Sequence, residues 1–263
     1  MSFIKKRYAL ILQIIFFSVI LLLSIVPLRD FDIWFHLKSG ELIAQRGIVH
    51  YDVFSYNTTG REWYPYEWLF QVIVYYFSKL FGFESIKFLI GAVMTIMMGV
   101  FYTILRRIFK VHWIFGMSLV FFFFVSTYEF LSARPQVFAY TFLFTNILLI
   151  YLYFFKNKNL LFLTIPITLM WANLHGSIFL DVGLFAGYSF VSLLHYFIER
   201  NKEWLTKSKT LGLFGILTAF LTILPPLYLT QYRLLILFFK DNDLISKFID
   251  EWTPLIINQY AFL

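Results

Sequence analysis

Asp30 and Asp32 stand one residue apart, and His36 follows one helical turn after Asp32, in Arg29-Asp30-Phe31-Asp32-Ile33-Trp34-Phe35-His36. Two carboxylates and an imidazole at that spacing can ligate a divalent metal; alternatively, a carboxylate can take the proton from an acceptor hydroxyl. Asp30 is equally an ordinary helix N-cap, because an acid before a helix suits its unpaired N–H groups and its dipole. Arg134 lies in Ala133-Arg134-Pro135-Gln136 between two apolar runs, where a guanidinium either snorkels to an interface or grips a phosphate with its planar fork. His175 lies in Trp171-Ala172-Asn173-Leu174-His175-Gly176. It is either a functional imidazole at membrane depth or a loop-end histidine bonded to nearby backbone, with Asn173 and Gly176 ending the helix. Glu67 before Trp68 and Glu251 before Trp252 are Glu-Trp pairs whose indoles either anchor at an interface or stack on a sugar. Asp181 is a potential partner of His175 or His195.

Several chemistries are excluded. The chain has no cysteine, so disulfides, thiolate catalysis and cysteine-zinc sites are absent. It also has no internal repeat, glycine-rich phosphate loop, nucleophile elbow or zinc-ligand spacing. With no room for a soluble nucleotide-binding domain, a transferase here would use a lipid-linked donor.

The elements that must position these residues are membrane helices. The 263 residues are 60% hydrophobic and 14% charged, with a mean hydropathy of +0.74. No soluble core of this size hides that much apolar surface, so the bilayer is the expected solvent. The net charge of +7 does not imply nucleic acid: 12 of the 22 basic residues fall in four short segments, Lys5 to Arg7, Arg106 to Lys110, Lys156 to Lys158 and Arg200 to Lys209. That is a positive-inside pattern.

The reading is a single all-α integral membrane domain over 1–263, with about seven transmembrane helices near 8–27, 84–105, 112–131, 137–155, 160–173, 177–197 and 210–230. Span 5 is short, so 160–197 could instead form a re-entrant hairpin. The run at 8–26 is an uncleaved first span, too long for a signal peptide. All four basic segments then fall in the cytoplasm. Loop 28–83, residues 132–136 and 173–176, and the tail 231–263 fall outside. Loop 28–83 carries two interfacial helices: 31–46, stopped by Gly47, with Asp32, His36 and Ser39 on one face, and 67–80, with Glu67, Gln71 and Ser78 on one face. Tyr56 to Gly60 reads as a turn; Asn57-Thr58-Thr59 is also an N-glycosylation sequon, but so short and common a match is read as turn chemistry unless the host is eukaryotic.

As an ordered set, Asp30-x-Asp32-x-Trp34-x-His36-Leu37-Lys38-x-Gly40-Glu41, Asp52-x-Phe54-Ser55-Tyr56, Glu67-Trp68-Leu69, Ala133-Arg134-Pro135-Gln136, Trp171 to Gly176 and Glu251-Trp252-x-Pro254 resemble a family of bacterial multispanning proteins. That family is similar to GT-C glycosyltransferases, the class of protein O-mannosyltransferases and oligosaccharyltransferases. The resemblance implies sugar transfer from a polyprenyl-phosphate carrier at the outer face of the cell inner (plasma) membrane, with the N-terminus cytoplasmic. It implies Asp32 or Asp30 as base or metal ligand and Arg134 and His175 as contacts to the carrier phosphate; His36, Glu67, Gln136 and Asn173 are further candidate substrate contacts. A divalent metal is an open question. The expected partners are the lipid-linked sugar, the bilayer and envelope-biogenesis proteins, and no nucleic acid. Tyr66 stands where relatives often have His, and the chain stops soon after span 7 where relatives continue, as a fragment or a minimal module would. The alternative reading is a non-catalytic transporter or structural subunit for lipid-linked glycans. The sequence places the polar residues at one face and leads to the expectation that Asp32, Arg134 and His175 bound one cavity.

Overall fold

The computed structural model describes residues 3–28, 30–57, 60–128, 133–156, 158–224, 226 and 228–240. Glu251, Trp252, Pro254 and the rest of 241–263 lie outside the described residues, as do Thr58 and Thr59 of the sequon. The described chain is helical, with no strand and one isolated antiparallel bridge between Tyr51 and Glu62.

Ten α-helices follow in order: α1 Phe3–Ser24, α2 Asp32–Arg46, α3 Trp68–Phe81, α4 Ser85–Arg107, α5 Trp113–Thr127, α6 Gln136–Lys156, α7 Thr164–Leu174, α8 Phe179–Glu199, α9 Lys202–Leu221 and α10 Thr230–Lys240. Four stretches are long and apolar enough to cross a membrane: Arg7–Ser24, Ser85–Arg107, Gln136–Lys156 and Gly176–Glu199. Each reaches or approaches the roughly 20 residues that a bilayer core requires. Leu10, Ile11, Ile14, Ile15 and Leu22 stand exposed along α1, a surface suited to lipid and ill-suited to water.

The remaining sequence-predicted spans are shorter or more polar. α5 has 15 residues and α7 has 11, with a 3₁₀ turn, Leu161–Leu163, leading into α7. The stretch 198–209, left between the sixth and seventh expected spans, is mostly helical. α8 ends at Glu199, Arg200 takes a left-handed conformation, and the Asn201 side chain accepts the Glu203 N–H at 2.9 Å, so α9 starts at Lys202. Ten residues of that stretch are therefore helical, two in α8 and eight in α9, and α9 ends at Leu221, well before 230.

The pair α2–α3 forms as the sequence predicts. Gly47 at φ 76° stops α2, its N–H bonding the Ile43 carbonyl at 2.9 Å. The two helices touch at Gly40, where an added Cβ would lie 2.1 Å from the Gln71 carbonyl oxygen. Between them, Asp52 and Arg61 pair backbone to backbone, and Phe54 and Trp63 pack on Phe35 of α2. α1 and α4 run antiparallel, with Gly91 against the Ser24 carbonyl.

One apolar cluster gathers Ile33 of α2, Phe70 and Val74 of α3, Ile86 and Ile90 of α4, Ala133, Phe138 of α6 and Leu174 of α7. Ile33 is next in sequence to Asp32, Ala133 to Arg134, and Leu174 to both Asn173 and His175. Burying these apolar neighbours together brings the adjacent polar residues to one end of the bundle.

Candidate functional site

Asp30 lies in the link between α1 and α2, Asp32 is the first residue of α2, and Arg134 precedes Pro135 at the start of α6. Pro135 suits this position because its carbonyl receives the Phe138 N–H at 3.1 Å and its ring demands no donor. Arg134 donates from Nε to Asp30 Oδ2, and its Nη2 lies 3.3 Å from Asp32 Oδ2. The Asp30 side chain is 10% exposed and that of Asp32 is 60% exposed, so one carboxylate is buried under the guanidinium and the other is presented outward. Asp30 also accepts the Asp32 backbone N–H on Oδ1 at 3.0 Å. Asp30 therefore both caps the start of α2, as its position predicts, and pairs with Arg134, which the sequence did not indicate.

A second group sits beside this one. Glu67 occupies the N-cap position of α3, and His175 follows the last residue of α7. Ser177 N–H donates to His175 Nδ1 at 3.1 Å, and the Ser177 hydroxyl, 2.7 Å from Nδ1, in turn receives the Trp171 indole N–H at 3.1 Å. With Nδ1 accepting, the proton of neutral His175 belongs on Nε2. Nε2 faces Glu67 Oε1 at 3.9 Å, too far for a direct hydrogen bond. Trp68 Nε1 donates to Asn173 Oδ1 at 2.7 Å and ties α3 to α7 in the same place.

Burial controls the charges of this second group. It pushes the Glu67 carboxyl up to about 8; Asp32 raises it further and Arg134 opposes the rise. Burial also lowers His175 to about 4. Both groups are thus neutral near pH 7, and their approach is not an ion pair there. Tyr66 is pushed up as well, first by burial and then by Glu67 and Asp32. The influence of Asp32 and Arg134 on Glu67 means that the two groups share one electrostatic environment.

Other sequence-predicted residues behave differently. Asp32, His36 and Ser39 share a face, as their spacing predicts, but His36 and Ser39 are buried on it while Asp32, at the start of the helix, is exposed. His36 is 5% exposed, edge-on to Phe70 with ring centroids 5.0 Å apart. Burial lowers it to about 4, against a raising influence from Asp30. Its Nδ1 has no hydrogen-bond partner among the described residues. Gln71 is likewise buried, against the expectation that it would line a polar face. Gln136 opens α6, and its buried Oε1 also lacks a partner among the described residues. Asp181 pairs with neither histidine. It accepts from Asn146 Nδ2 and Thr168 Oγ1, each at 2.7 Å, and joins α6, α7 and α8 inside the bundle. His195 pairs with Glu199 at 3.1 Å.

The described residues contain no group of three or more His, Asp or Glu that could hold a metal. The cation facing Asp30 and Asp32 is the Arg134 guanidinium. The Glu67–His175 approach was missed in the sequence, although both residues lie beside tryptophans that the structure ties into the same contact.

The described residues form an all-helical protein with four helices suited to cross a membrane and a polar ion-pair cluster at one end of the bundle. Comparison with family models, curated proteins and solved structures finds no match to this chain.

Proposed function

We propose that the chain transfers a sugar from a polyprenyl-phosphate carrier to an acceptor hydroxyl, in the manner of the GT-C glycosyltransferases it resembles. The observation that carries this reading is the unequal pair of carboxylates on Arg134, one buried and the other 60% exposed. In this reading α5, α7 and α9 complete seven spans. α2 and α3 lie in the outer interface of the plasma membrane, and the N-terminus is cytoplasmic.

The exposed Asp32 accepts the proton of the acceptor hydroxyl as its oxygen attacks the anomeric carbon. The bond from that carbon to the phosphate oxygen breaks, and the phosphate leaves as an anion that needs no proton. Asp32 loses its charge as the phosphate gains one. Arg134 therefore exchanges its looser contact, at 3.3 Å, for the leaving group and keeps Asp30 throughout. Stabilising charge that appears only in the transition state lowers the barrier without tightening ground-state binding. Glu67, neutral near pH 7, adds no repulsion toward the phosphate.

The test is transfer of labelled sugar from a polyprenyl-phosphate donor by the full chain in vesicles. Time-dependent release of the carrier phosphate, with label on a hydroxyl acceptor, supports the reading. Binding of the donor without bond cleavage supports the non-catalytic subunit instead.

A further inference from the structure

The end of the bundle opposite Arg134 carries a second polar site. α4 runs from Ser85, near the first site, to Arg107, and α1 packs antiparallel beside it. Between them is a cavity of about 390 Å³ lined by Gln13, Tyr102, Thr103, Arg106, Arg107 and Lys110. Every lining residue is polar, although α1 and α4 are otherwise apolar helices. Three of the six are cations, and none of them pairs with a carboxylate among the described residues.

Tyr102 is 8% exposed and lines this cavity, and its Oη lies beside the Arg106 guanidinium, which can only donate to it, so the phenol O–H has no acceptor among the described residues. A buried O–H without an acceptor is costly unless something enters to satisfy it. The turn that follows is built around the same cluster: Lys110 adopts φ 57°, and Arg106 Nη1 donates to the Val111 carbonyl.

We infer that this cavity binds the phosphate of an anionic membrane phospholipid. Arg suits phosphate geometrically, and basic pockets between membrane helices recognise anionic headgroups. A lipid is favoured over free phosphate because α1 exposes Leu10 and Ile14 on either side of Gln13 in sequence, an apolar surface on which an acyl chain can lie. This site is independent of the sugar-transfer reading, since it uses none of the same residues.

The full-length protein is placed in nanodiscs of phosphatidylcholine alone, or phosphatidylcholine with phosphatidylglycerol, and bound lipid is measured by native mass spectrometry. Arg106 also supports the Val111 carbonyl, so it is left intact. Arg107→Gln with Lys110→Gln, at two exposed positions, is expected to weaken phosphatidylglycerol binding about tenfold, and Tyr102→Phe severalfold. Lys202→Gln, an exposed cation at the same end of the bundle, is expected to change nothing. Inorganic phosphate in excess is expected to compete poorly. Equal losses in Lys202→Gln would show diffuse attraction and overturn the site. So would full retention of phosphatidylglycerol in Tyr102→Phe and the double variant. Complete displacement of the lipid by inorganic phosphate would overturn the lipid assignment.

Discussion

Arg134 and Asp30, 104 residues apart in the chain, are joined guanidinium to carboxylate at the end of the bundle where α2, α3 and α6 begin. With Asp30 only 10% exposed, removing the guanidinium takes a charge-assisted hydrogen bond from a carboxylate that water reaches poorly. Arg134→Gln is expected to cost roughly 2–4 kcal/mol in thermal unfolding of the detergent-solubilised protein. Asp30→Asn in the Arg134→Gln background should recover part of that loss. A double-mutant cycle with no coupling would show that the pair contributes nothing to stability.

Glu67 sets a pH dependence of stability. Its folded value is raised to about 8 from the ordinary 4.5, so the folded state holds a proton between those values that the unfolded state has released. Stability on its account is full below 4.5 and falls as pH rises through 8. His36 and His175, lowered to about 4, act oppositely, but only between 4 and 6.5. From pH 6.5 to 8 the Glu67 contribution therefore dominates these opposing effects. The wild type should lose up to about 2 kcal/mol over that interval, and Glu67→Gln should flatten the slope. Infrared spectra should show a protonated carboxyl band at pH 7 that fades above pH 8 and is missing in Glu67→Gln.

Gly40 tests the α2–α3 contact. An added methyl would lie 2.1 Å from the Gln71 carbonyl oxygen and 2.7 Å from Tyr75 Cβ, so the helices must separate. Gly40→Ala is expected to destabilise by about 1–3 kcal/mol despite the better helix propensity of alanine. A rise in melting temperature would contradict the close approach.

Much of the helical layout was legible from periodicity and stop signals. α2 ends at Arg46 before Gly47, and α3 and α4 follow the predicted limits within about two residues. α9 was misplaced because the lysines at 202, 207 and 209 lower its hydropathy without interrupting the helix. The polar residues were legible one by one, but their partners were not. His36 looked like a companion of Asp32 from spacing alone, yet α3 covers it, and no local pattern encodes that packing. Asp181 was assigned to the nearest histidines in sequence, whereas its partners Asn146 and Thr168 come from two other helices. Four of the seven proposed spans meet the length and apolarity that a bilayer demands.

Sidedness can be read with single cysteines, since the native chain has none. A cysteine replacing Asn57 is expected to react with an impermeant maleimide from outside intact cells, and one replacing Lys158 only after permeabilisation. The reverse pattern would invert the proposed topology.

Asp32→Asn in the sugar-transfer assay is the most direct test of the account. Asp32 is 60% exposed and asparagine keeps its size, so protein level and melting temperature should stay unchanged. The account predicts a fall in turnover of about a hundredfold or more. Turnover equal to wild type would contradict it and leave Asp32 a first-turn acid that complements the helix dipole.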